Sequence, residues 1–116
     1  MTFAPRIDAV MIGGQLLNIQ RAAFTASSNG DNEIVAAVAG KKTIVFSYTL
    51  MANGTVNAKF RSDTTDISGL KYFIANTGIA CTDNAKGWFE TQAGHALNLN
   101  LSGAVAVAGE LVYAQY

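Results

Sequence analysis

Apolar and polar residues alternate with a period of two along much of the chain, the pattern of β-strands with one buried face. In Lys42–Leu50 one face carries Ile44, Phe46, Tyr48 and Leu50, and the other carries Thr43, Val45, Ser47 and Thr49. The β-branched and aromatic content fits a pleated surface. Asn53-Gly54 follows, and Asn-Gly between two alternating runs predicts a two-residue hairpin turn with positive φ at both central residues. Gly54→Val should therefore destabilise the fold by about 1 kcal/mol or more. The return strand spans Thr55–Ser62, with Val56, Ala58 and Phe60 inward and Thr55, Asn57, Lys59 and Arg61 toward water.

The C-terminal part repeats the pattern. His95–Leu101 sets Leu97, Leu99 and Leu101 against Asn98 and Asn100. Ser102-Gly103 predicts a turn, and Ala104–Ala108 and Glu110–Tyr116 predict strands separated by Gly109. In the last strand Leu111 and Tyr113 face opposite to Val112 and Ala114. Apolar residues on both faces suit a central strand or an interface strand. Ile19–Ala26 and Glu33–Ala39 predict two more strands around a polar loop, with Gly40 closing the second. Lys71–Ala75, Gly78–Cys81 and Gly87–Glu90 read as short strands. About eight strands of this kind fit an all-β antiparallel sandwich, with the jelly roll as one way to join them.

The sandwich domain is placed at residues 18–116. Residues 1–17 stand apart as an N-terminal arm or an extra strand. Phe3, Ile7, Val10, Met11 and Ile12 are more apolar than a solvated tail, yet no clean period links them. Gly13-Gly14 reads as a hinge. The favoured expectation is an arm that packs on another subunit.

Charge sharpens this picture. Eight basic and eight acidic residues cancel, and charged residues make up only 14% of the chain. Soluble domains carry about 25%, and a small domain should exceed that. A surface so poor in charge favours association. Val112, Tyr113 and Tyr116 on the doubly apolar last strand therefore join the five N-terminal residues as candidate interface positions. No basic excess points to nucleic acid, and no run approaches the roughly 20 apolar residues of a membrane span. Met1–Gln20 contains Pro5, Arg6 and Asp8, which interrupt any signal-peptide core, so synthesis and folding are expected in a cytoplasm.

Candidate chemistry is sparse. His95 is the only histidine and Cys81 the only cysteine, so neither a zinc site nor an internal disulfide is expected. Asp63 and Asp66 lack the spacing of a calcium loop and read as turn residues. Trp88 beside Phe89 in a strand puts one ring in and one out, and glycan stacking on the outer ring is the minor reading. No catalytic residue, cofactor or metal is expected.

Four segments carry a resemblance: Glu33–Val45, Lys59–Gly69, Gly87–Thr91 and, most strongly, Gly94–Gly109. Together they resemble small β-sandwich or jelly-roll virion proteins of tailed bacteriophages, some of which decorate or cement the capsid as trimers. The likeness covers roughly residues 30–116. It departs at His95, where an acidic residue is expected. The resemblance implies a homotrimer on the outer capsid surface of a virion, with the major capsid protein as partner. The alternative it leaves open is a fibre, spike or tail module that binds a receptor or glycan.

Overall fold

The computed structural model describes residues 9–116 of the chain, and the alternating segments become strands. In chain order these are β1 (Ala9–Ile12), β2 (Gln15–Asn18), β3 (Gln20–Ala26), β4 (Gly30–Val35), β5 (Thr43–Ala52) and β6 (Val56–Ser62). They continue as β7 (Thr65–Asp66), β8 (Lys71–Phe73), β9 (Thr77–Cys81), β10 (Phe89–Glu90), β11 (Leu97–Leu101) and β12 (Val107–Gln115). The described residues contain no helix.

Two five-stranded antiparallel sheets pack face to face. The front sheet runs β10-β5-β12-β3, and β9 also pairs with β5. The back sheet runs β4-β11-β6-β7, and β8 also pairs with β6. The pairs nest: β6 with β8, β5 with β9, β4 with β11, β3 with β12. One long hairpin rolled across two sheets gives this order, which is the jelly-roll arrangement. The result is a slab of 43 × 40 × 19 Å.

The core lies between the sheets. Leu97, Leu99 and Leu101 of β11 are sealed from solvent, as the Leu-Asn alternation predicted. Phe60, Leu50, Leu111, Val45 and Val107 complete it. Each large side chain fully buried is worth about 1.5–3 kcal/mol. At one end Tyr48 meets Phe60 edge to face at 5.1 Å, and Phe60 meets Phe89 at 4.5 Å. The doubly apolar β12 is a central strand, flanked by β5 and β3.

Asn53-Gly54 does not make the expected hairpin. Both flanking strands exist, but β5 belongs to the front sheet and β6 to the back. Neither residue has positive φ. The loop arches between sheets and is pinned by the Asn53 N–H donating to Ala106 O at 2.9 Å. A Cβ on Gly54 would meet Val105 Cγ1 at 3.1 Å, so a valine there is opposed by crowding and not by φ. The tight hairpin near here is β6–β7, turned by Asp63 at φ 50° and Thr64.

Strand β5 carries a bulge. Val112 pairs with Ser47 and Tyr113 with Val45, leaving Phe46 over. An extra residue reverses the facing of what precedes it. Tyr48, Leu50 and Val45 thus share the core, while Ile44 and Phe46 point out the other side of the front sheet. The expected single face of Ile44, Phe46, Tyr48 and Leu50 is divided accordingly.

Residues 9–18 cover those outward side chains. Gly13 and Gly14, at φ 56° and 81°, form the turn of a β1–β2 hairpin. Val10, Ile12 and Leu17 pack on Ile44, Phe46 and Ala114. The glycine pair is therefore a turn where a hinge was expected, and the alternation it joins is only four residues long on each side. Strand β4 also differs from its expected span. Its partner β11 begins at Leu97, opposite Val35, so residues 36–39 have no strand to join.

Gly109 does not break the last strand. It lies inside β12, opposite Leu50, and a Cβ there would collide with the Thr49 carbonyl oxygen. Gly78 of β9 approaches β5 from the other side, where a Cβ would collide with the Leu50 carbonyl oxygen. Gly109→Ala should lower stability by about 1–3 kcal/mol, since overpacking forces backbone shifts. Chemical denaturation reads this as a lower midpoint, and an unchanged midpoint would mean that β5 and β12 separate freely.

Candidate functional site

The two outer faces of the sandwich differ in chemistry. Alternation turns Asp31, Asn98, Asn100, Lys59 and Arg61 outward on the back sheet. They form a network with Asp66. Arg61 Nη1 lies 3.1 Å from Asp31, Arg61 Nε and Lys59 Nζ each lie 3.0 Å from Asp66, and Asn100 donates to Asp31 at 2.8 Å. The Lys59 hydrogen bond, with Arg61 beside it, holds the Asp66 carboxyl below the usual carboxylate range. Such a face suits water.

The front face carries few charges. Strands β3, β5, β9 and β12 contain only Arg21 and Glu110 as charged residues. Between Met51, Ile79, Ala108 and Glu110 runs an open groove of about 500 Å³. Gly78, opposite the outward Met51, lines it too and offers no side chain to fill it. A second hollow of about 240 Å³ continues past Ser47, Ala80 and Val112. Met51 is 55% exposed. Thr49 Oγ1 donates to Glu110 at 3.1 Å, which fixes the one carboxylate of the groove.

The β1–β2 hairpin closes the other end of this face. Met11 and Leu16 pair across it and are exposed. Tyr116 packs at its margin and its hydroxyl donates to Glu90. That bond, more than burial, pushes the Tyr116 hydroxyl up to about 12. A raised tyrosine stabilises the fold fully below its ordinary value near 10 and loses that contribution as pH rises through 12.

The expected interface residues are thus spread out. Val112 lies on the open face and Met11 on the hairpin surface, whereas Tyr113 turns toward the core and Val10, Ile12 and Tyr116 pack within the chain. Phe3 and Ile7 fall outside the described residues. Thr49, Met51, Ala80, Ala108 and Glu110 line the groove without having been singled out in the sequence. Three of them, Thr49, Ala80 and Ala108, carry a signal in the sequence: small, uncharged residues on predicted strands.

His95 sits in a node. Ser62 Oγ lies 2.9 Å from His95 Nδ1 and accepts from the Gln92 N–H at 3.0 Å. Asp63 accepts from the Ala96 N–H at 2.8 Å and stands 3.7 Å from His95 Nε2. Serine, histidine and aspartate together suggest nucleophilic chemistry, but Ser62 is 0% exposed, so no substrate reaches its hydroxyl. The node ties the end of β6 and the loop after β10 to the start of β11. Cys81 pairs with Tyr48 across β9 and β5 and packs on the core; burial, then Cys81, pushes the Tyr48 hydroxyl upward. The Phe89 ring packs inward, and Trp88 donates its Nε1–H to Thr82 O at 2.8 Å. Among the described residues no group of three His, Cys, Asp or Glu side chains could hold a metal ion, and no helix is long and apolar enough to cross a membrane.

No family model matches the chain, and no curated protein matches it.

Ser62→Ala removes the buried hydroxyl that partners the Gln92 N–H and His95 Nδ1 and should cost about 0.5–1.5 kcal/mol, read as a lower urea midpoint; an unchanged midpoint would mean the node holds nothing. Tyr116→Phe should abolish part of the stability loss seen between pH 10 and pH 12. A variant with the wild-type alkaline profile would show that the Glu90 contact contributes nothing.

Proposed function

We propose that this chain is a structural protein of a tailed-phage virion, which attaches to the outer capsid surface and bridges neighbouring capsid subunits. One observation carries the reading: a sandwich whose back face holds a charge network and whose front face is open, small-residued and nearly uncharged. A slab that works in isolation gains nothing from this asymmetry, whereas one that buries a face gains about 25 cal/mol per Å² of apolar area. A broad face of 43 × 40 Å accommodates the roughly 800 Å² per partner of a standard interface. The resemblance of Gly94–Gly109 and the shorter segments to phage head proteins names the partner class. Bridging requires a rigid body and a complementary face, and no active site.

The test joins copy number to a surface change. Purified particles should contain the protein in fixed ratio to the major capsid protein; a handful of copies would favour a fibre or tail module instead. Thr49→Glu places a second, unpaired carboxylate beside Glu110 in the groove without touching the core. It should reduce attachment to particles tenfold or more, the effect of about 1.4 kcal/mol, while the far-ultraviolet circular dichroism stays unchanged. Undiminished attachment would remove the front face from the account.

A further inference from the structure

Sheet edges offer rows of unpaired backbone groups, and proteins usually guard them with charge or by keeping the edge strands short. The back sheet does both. Its edge strand β4 carries Asp31 and Glu33, and its opposite edge is made of β7 and β8, two and three residues long. The front sheet guards only one corner, with the two-residue β10. Its edge strand β3 is seven residues, Gln20–Ala26, with no proline and a single charge at Arg21. Among the described residues β3 pairs only with β12.

We propose that β3 pairs antiparallel with β3 of a second copy of this chain, joining two front sheets into one across a two-fold axis at Ala23. The strand is self-complementary in that register. Each Arg21 falls opposite Thr25 of the other copy, so no like charges face each other. On the inner side each Ala22 falls opposite Phe24, small against large, which covers the half-buried Phe24 ring. The remaining uncharged edge is β9, five residues long with Gly78 drawn onto β5. A β3–β9 contact between copies is heterologous and propagates unless it closes into a ring, whereas β3–β3 is isologous and ends at two. The pairing gives a dimer where the resemblance implies a trimer. It does not depend on the virion reading, because pairing uses the backbone edge of β3 whereas attachment uses the outward side chains of β5, β9 and β12.

The experiment uses the full chain. Light scattering across the micromolar range should report the mass of a dimer. Ala23→Lys, an exposed change that sets two ammonium groups across the axis, should shift the protein to monomer with unchanged circular dichroism. Ala23→Cys should cross-link on mild oxidation, the introduced thiol of one copy to the introduced thiol of the other, since facing antiparallel residues lie about 4.5–5.5 Å apart and a disulfide spans about 4.4–6.8 Å. A wild-type monomer or trimer, an Ala23→Lys protein that stays dimeric, or a cross-link from the introduced thiol to Cys81 would each overturn the proposal. Monomeric Ala23→Lys that still decorates particles would leave the virion reading standing.

Discussion

Strand β5 runs between two glycines. Gly109 of β12 and Gly78 of β9 bring their backbones so close that the Thr49 and Leu50 carbonyl oxygens occupy the places their Cβ atoms would take. Much else depends on this constraint. It sets the register of β5 with β12, and with it which residues enter the core: Val107, Leu111, Leu50 and Ala52 meet Phe60 and the β11 leucines. On the outer side Gly78 leaves one position of the front sheet without a side chain, and the groove between Met51 and Ala108 opens there.

The bulge at Phe46 adds a second consequence. Beyond it the outward side of β5 becomes apolar, with Ile44 and Phe46 facing out, and the β1–β2 hairpin is needed to cover them. The front face is therefore half built over and half open. The open half lies over small residues and the built half ends in Met11 and Leu16. The back face needs no such cover, because Asp31, Arg61, Asp66 and Lys59 form ion pairs on a polar surface that faces water. Low charge in the sequence is thus a property of one face and not of the whole surface.

What the sequence made legible follows the range of the interactions. The Leu97-Leu99-Leu101 alternation, the inward set of β6 and the central place of β12 were readable because strand facing is a local, period-two property. The Asn53-Gly54 turn misled because turn chemistry is local while strand partnership is not: β5 pairs with residues some 60 positions later, and the jelly roll sends the chain across at that point. Gly109 read as a break for the same reason, its role being visible only once Thr49 lies beside it. The bulge, and the hairpin that answers it, were hidden because a single extra residue inverts facing without marking the sequence. Thr49, Ala80 and Ala108 were visible as small residues on predicted strands, but only the sheet order brings β5, β9 and β12 together there.

On the proposed reading the front face is the one covered on the particle. Hydroxyl-radical footprinting of the free protein and of particles carrying it measures this directly, with Met51 and Tyr72 as paired reporters. Both are exposed in the chain, at 55% and 77%, Met51 on the front face and Tyr72 on β8 of the back sheet. Met51 should be protected on the particle while Tyr72 remains reactive. Equal reactivity of Met51 in both states, or protection of Tyr72 alone, would contradict it.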